Sequence, residues 1–160
     1  RPLRDRFGIP LQLDFYNPDA LKKIIQNNSL KFGYDISEEA TLEIAKRSRG
    51  TARIAIRLLK RILDFAIVKD MRLIDLKLVS DSLDLMRIDS AGLDDMDRKY
   101  LGCIINNYSG GPVGIDTLSA ALLEQRDIIE DVIEPYLMQK GFVQRTPRGR
   151  IITKKGTDHL

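Results

Sequence analysis

The sequence has one cysteine, Cys103, one histidine, His159, and no tryptophan. A single cysteine excludes a disulfide framework, and with one histidine it cannot build a Cys/His zinc site. No metal site is therefore expected. A Cys-His nucleophilic pair is also disfavoured, because His159 stands next to the C-terminus. Long apolar runs are missing too. No stretch approaches the roughly 18 uncharged residues of a membrane span, so no membrane partner is expected. A signal peptide is absent: the chain opens Arg1-Pro2-Leu3-Arg4-Asp5-Arg6, with no apolar core behind the charges and no initiator Met. These absences predict a cytoplasmic fragment of a longer protein. What is present is a folded composition, with 160 residues, 43% hydrophobic and 31% charged, enough for one domain or two small ones.

The net charge of +3 hides an uneven distribution. Residues 46–61 carry Lys46, Arg47, Arg49, Arg53, Arg57, Lys60 and Arg61 with no acid. Residues 140–155 carry Lys140, Arg145, Arg148, Arg150, Lys154 and Lys155, again with no acid. The rest of the chain is strongly acidic. Two basic islands in an acidic background suggest local anion sites; the alternative is a pair of solvated helix faces.

Helix punctuation divides the chain. Asn17-Pro18-Asp19 starts a first helix with apolar residues at Leu21, Ile24, Ile25 and Leu30, and Gly33 stops it. A second helix opens at Ser37-Glu38-Glu39, carries Ala40, Leu42, Ile44 and Ala45, and ends at Gly50. The third runs over about 51–69 with the stripe Ala55, Leu58, Leu59, Ile62, Phe65 and Ala66, opposite Arg53, Arg57, Lys60 and Asp64. A fourth covers about 75–86. Residues 87–93 break the periodicity and mark a domain boundary. Beyond it come helices over 94–107, 116–123 and 126–139, then strands over 142–145 and 150–153 joined by the turn 146–149. The predicted fold class is mainly α: a four-helix bundle, then a winged helix of three helices plus a β-hairpin.

The second helix of the turn pair carries Asp127, Glu130, Asp131 and Glu134, with only Arg126 at its start. Those carboxylates would be repelled in a DNA groove, so base reading by this helix is not expected. Positive charge sits instead at Arg126 and on the hairpin at Arg145, Arg148 and Arg150. Charge alone leaves a phosphate grip and a protein-binding winged helix equally open. Three guanidiniums around one tight turn are poor for self-packing and suit a phosphate backbone, which tips the reading toward DNA. In the bundle, Arg53 occupies a helix first turn, where a cation opposes the dipole unless an anion compensates. Arg53 either meets a phosphate there or reaches into solvent. No Gly-x-x-x-x-Gly-Lys-Ser/Thr loop occurs, so the chain alone is not expected to hydrolyse ATP.

Longer strings carry a resemblance. Leu3-Arg4-Asp5-Arg6-Phe7-Gly8, Asp14-Phe15-Tyr16 and Arg49-Gly50-Thr51-Ala52-Arg53-Ile54-Ala55 are similar to the C-terminal part of an AAA+ ATPase. Gly110-Gly111-Pro112-Val113-Gly114, Glu134-Pro135-Tyr136-Leu137 and the run from Gly141 to Arg150 narrow it. Together they resemble the RuvB family of bacterial Holliday-junction branch-migration motors, over essentially the whole chain. The resemblance implies the tail of a large ATPase domain (1–16), a small AAA+ lid (17–87) and a winged-helix head (90–160). It implies that Arg6 is an arginine finger acting on a neighbouring subunit's ATP, with Tyr16 and Arg53 (the sensor-2 arginine) also at ATP. Arg126, Arg145 and Arg150 match DNA-contacting arginines, and Arg148 is a further candidate. Ala52 departs from the family, where proline is expected. The resemblance also implies a homohexameric ATP hydrolase and helicase that acts on double-stranded DNA in recombination, repair and the SOS response. Its Mg²⁺ would be held by the missing large domain, and its partners would be RuvA and RuvC. Two other readings stay open: another AAA+ initiator or loader with a winged helix, and a non-enzymatic winged-helix regulator.

Overall fold

The computed structural model describes residues 16–160, and they fall into two compact units that divide between Gly92 and Leu93. The first unit is a four-helix bundle. Helix α1 (Pro18–Lys31) is capped by Asn17, whose side chain accepts from the Ala20 amide at 2.8 Å. Helix α2 (Glu38–Lys46) is capped by Ser37, α3 (Ala52–Val68) by Thr51, and α4 (Leu76–Leu85) by Asp75. Each cap satisfies an amide that the helix cannot satisfy itself, and that is why the sequence breaks into helices at these points. Leu21, Ile25, Ile44, Leu58, Leu59, Ile62, Leu78 and Leu83 form the core. The expected α3 stripe is the buried face, with Leu63 added and Phe65 at its margin.

Leu30 and Leu42 are exposed, against the apolar positions expected for them. The buried face of α2 is Ala40, Thr41, Ile44 and Ala45, and Leu42 lies more than half a turn from Ala40. A two-stranded parallel pair also escaped the sequence pattern: β1 (Asp35–Ile36) beside β2 (Leu73–Ile74), in register Asp35↔Leu73 and Ile36↔Ile74. Two residues are too short to show an alternation.

The second unit is a winged helix. Helix α5 (Asp95–Tyr108) begins with a reciprocal capping box between Asp94 and Asp97, both bonds 3.0 Å. Helix α6 (Ile115–Leu122) follows. The single helix expected over 126–139 is in fact three pieces: α7 (Arg126–Ile128), a π-helical turn over Ile129–Ile133, and α8 (Glu134–Gln139). Pro135 supplies the reason. It has no amide to donate to Asp131, and the Glu134 amide reaches back five residues to the Ile129 carbonyl.

The wing is an antiparallel hairpin of β3 (Val143–Thr146) and β4 (Gly149–Ile152), in register Arg145↔Arg150 and Thr146↔Gly149. Val113 adds a third, one-residue rung: its amide donates to the Arg150 carbonyl at 2.9 Å and its carbonyl accepts from the Arg150 amide at 2.7 Å. The approach is so close that a Cβ on Gly149 would strike the Val113 carbonyl, which fixes glycine at φ +128° there. Helix α9 (Lys154–His159) closes the unit. His159 stands next to the C-terminus yet is held in place. It stacks on Phe142 with ring centroids 4.9 Å apart.

Candidate functional site

The bundle offers one corner with the chemistry of an anion site. Arg49 and Gly50 both take positive φ, 57° and 72°, and turn the chain sharply into α3. The Tyr16 amide donates to the Gly50 carbonyl at 2.5 Å, so Tyr16 sits beside the start of α3. Arg53 lies in the first turn of that helix, exposed, with no acidic residue in the same turn. It makes no ion pair among the described residues. Tyr16 and Arg53 thus both lie near the start of α3, where a cation and free helix amides suit a phosphate. Arg6 lies outside the described residues.

The first basic island resolves into unlike members. Arg47 is structural: its Nε pairs with Glu43 at 2.7 Å and its Nη1 donates to the Ile88 carbonyl at 2.9 Å, strapping the segment before the domain boundary to α2. Lys60 and Arg61 lie over the rings of Phe32 and Phe65. Arg53 and Arg57 point into solvent without an ion pair among the described residues.

The head shows a cluster that the sequence reading missed. The Glu134 side chain is 0% exposed and the Arg150 side chain 8%. Arg150 Nε donates to Glu134 Oε2 at 2.8 Å and its Nη2 to Glu134 Oε1 at 3.2 Å, a two-pronged clasp. Tyr100, from the middle of α5, donates its hydroxyl to the same Oε2 at 2.5 Å. Glu130, one turn earlier, lies near all three family-matched arginines: Arg126 Nε at 3.3 Å, Arg150 Nη2 at 3.5 Å and Arg145 Nη2 at 3.9 Å. Arg145 also reaches Glu134 at 3.4 Å.

Two expectations change here. Glu130 and Glu134 do not face outward with Asp127; they turn inward to the wing. Nor are the three hairpin guanidiniums all poor at self-packing, because Arg150 is buried and clasped. A signal for this was available: Ile133, Glu134 and Leu137 share the buried face of the helix, which places a carboxylate where only a partnered one is tolerated.

The exposed cations form a separate layer. The Arg126 and Arg145 side chains are 56% and 52% exposed. Arg148 stands at the wing tip, where its amide donates to Thr146 Oγ1 at 3.2 Å and its guanidinium makes no ion pair among the described residues. Arg150 holds Glu134 through Nε and Nη2, and its Nη1 has no hydrogen-bond partner among the described residues.

Burial pushes the Tyr100 hydroxyl well above its ordinary value of 10.0, and the charge of Glu134 and the hydrogen bond to it push the same way. The unfolded chain therefore loses this proton near pH 10 while the folded head keeps it. Stability is full below that pH and falls as pH rises above it, by up to about 1.4 kcal/mol per pH unit. Unfolding midpoints of the head should drop more steeply above pH 10.0 in the parent than in Tyr100→Phe, followed by thermal melts across alkaline buffers. Equal slopes would mean that Tyr100 does not titrate differently in the two states.

Comparison with known proteins agrees with both halves of this architecture. A family model described as the RuvB AAA lid domain matches residues 16–89, and one described as the RuvB C-terminal winged helix domain matches residues 90–160. A solved structure described as the Thermotoga maritima RuvB Holliday junction branch migration motor matches with a TM-score of 0.91 at 49% identity, over 99% of this chain and 53% of that one. A substituted form of Thermotoga maritima RuvB gives a TM-score of 0.92 at 48% identity, with the same coverage. The chain spans about half the length of these relatives. Matched along the lid and the head alike, the chain belongs to the RuvB family.

Proposed function

We propose that this chain is the nucleotide-sensing lid and DNA-gripping head of an ATP-driven, homohexameric motor that moves Holliday junctions in the cytoplasm with RuvA and RuvC. The observation that carries the reading is the split on the head. Beyond Arg126, the second helix of the turn pair exposes Asp127, Ile128, Val132 and Pro135 and no further cation, and the exposed guanidiniums of Arg126, Arg145 and Arg148 lie at its start and on the wing. That layout holds a phosphate backbone without reading bases, as a motor that passes along any sequence requires. Arg150 contributes through its Nη1 edge while its other edge fixes the wing. A sequence-preferring initiator would need amide or basic side chains on the exposed helix face, where Asp127 and Val132 stand.

In the lid, Tyr16 lines a nucleotide held mainly by the large domain, and Arg53 contacts its phosphates. ATP with Mg²⁺, when bound there, supplies the anhydride whose hydrolysis drives the motor. Arg53 senses the phosphate from the first turn of α3, and α3 runs through the core of the bundle, so a shift at its start moves the bundle as one body. Arg6 acts on the neighbouring subunit's nucleotide.

Mixed hexamers of the full-length protein test these roles. Arg6→Ala should lower hydrolysis in the neighbour of the substituted subunit and largely spare ATP binding. Arg53→Ala should weaken nucleotide binding in its own subunit and uncouple it from branch migration. A loss confined to the subunit carrying Arg6→Ala would refute the finger assignment.

A further inference from the structure

Glu130 occupies an odd position for a residue of a DNA-binding head. Its side chain is only 10% exposed, and among the described residues it is the one carboxylate paired within 4 Å with Arg126, Arg145 and Arg150 together. Glu134 has a different task. It lies fully inside, takes both prongs of Arg150 and the Tyr100 hydroxyl, and holds the wing to the helix. Removing Glu134 would strip a buried cation of its partner. Glu130 sits at the rim of the same cluster, between the buried pair and the exposed guanidiniums. Its contacts are longer and spread over three donors, at 3.3, 3.5 and 3.9 Å.

The electrostatic consequence follows from that placement. A phosphate that approaches Arg126 or Arg145 also approaches the Glu130 carboxylate, and the two anions repel. Before DNA arrives, Glu130 already satisfies part of the charge of each guanidinium, so part of the attraction offered to phosphate is spent internally. Arg126 carries a second such partner, Asp116 at 3.6 Å, but both of those side chains are exposed and water screens them. Glu130 is shielded from solvent and acts on all three arginines at once.

We infer that Glu130 is a built-in restraint on DNA affinity: a positioning residue that keeps Arg126, Arg145 and Arg150 together while holding their grip on the phosphate backbone below its attainable strength. This rests on the backbone-gripping reading of the head given above. A head that must release and re-grip the duplex gains from a grip that is fast to leave, and several heads on one duplex recover the total affinity.

The test is duplex binding by this 160-residue chain, whose head is a compact unit of its own. A labelled mixed-sequence duplex is titrated by fluorescence anisotropy at several salt concentrations. Glu130→Gln keeps the size of the side chain and an acceptor oxygen but removes the charge. It should bind about three- to tenfold more tightly, and because the repulsion removed acts over a few ångströms, well within a Debye length, the gap should persist as salt rises. Asp158→Asn, on α9 and outside the cluster, removes the same charge elsewhere and should change affinity by less than twofold. A purely structural role for Glu130 predicts the opposite sign, a weaker complex and a lower melting temperature. Unchanged or weaker binding by a folded Glu130→Gln, or equal gains from both variants, would overturn the inference while leaving the backbone grip in place. Absence of salt-sensitive binding by the parent chain would remove both readings together.

Discussion

Glu134→Ala is expected to unfold the head and leave the lid intact. The substitution leaves the Arg150 guanidinium buried at 8% side-chain exposure with only the rim carboxylate of Glu130 near it, and it deprives the Tyr100 hydroxyl of its acceptor. Losing one partner of a buried ion pair costs about 3–5 kcal/mol, against the roughly 3–10 kcal/mol available to a unit of this length. The loss matches or exceeds the stability at the low end of that range and removes about a third to a half of it at the high end. An arginine side chain keeps its proton at any ordinary pH, so in the variant Arg150 does not escape by becoming neutral. Hydrogen exchange resolves the result by segment. Amides of α5, α8 and β4 should exchange as in an unfolded chain, while those of α1 and α3 keep their protection, because the two units have separate cores. Glu134→Gln, which keeps an acceptor for Tyr100 and Arg150, should lose less. Full protection of the head in Glu134→Ala would show that the clasp contributes little to folding.

How the two units could be read from sequence differs from element to element. The four bundle helices announce themselves, because Asn17, Ser37, Thr51 and Asp75 are residues whose side chains cap, and each does so. The hairpin was legible for a similar reason: Pro147 presets the turn and Gly149 takes the positive φ. Elements set by tertiary contact were not legible. Leu73 and Ile74 form a strand only because Asp35 and Ile36 lie beside them, and Val113 joins the wing only because β4 approaches it. The π-turn required reading Pro135 as a local break, which a proline near a helix start does not by itself signal.

The site shows the same division. Arg53 was findable as a cation in a helix first turn, a local anomaly visible without any fold. The basic wing was findable as a charge run. Their partners were harder to find: Glu130 looks like any exposed acidic helix residue until the wing folds across it, and only its place beside Ile133 and Leu137 marks Glu134. Counting charge along the chain treats each cation as free, yet of the three wing arginines the folded head gives Arg150 to Glu134 and Arg145 partly to both carboxylates, and leaves Arg148 without an ion pair among the described residues. A basic island is thus an upper bound on the charge a surface can offer.

That bound shapes the DNA-binding prediction, since the arginines best placed to grip are those the fold does not need. Arg126, Arg145 and Arg148 are exposed, and replacing all three with alanine leaves the Glu134–Arg150–Tyr100 clasp in place. The triple variant should therefore melt within a degree or two of the parent. Its duplex affinity at low salt should fall by about 10²–10³-fold, and its salt dependence should flatten by nearly three units of log–log slope if each arginine meets one phosphate. The loss should be the same on unrelated duplexes, because none of the three is aimed at a base edge by an exposed helix face. Arg150→Ala would be a poor substitute, as it breaks the clasp and confounds grip with folding. A triple variant that melts like the parent and keeps the parent's salt slope would place the DNA elsewhere on the molecule. One that loses affinity for a single sequence only would turn the wing from a grip into a reader.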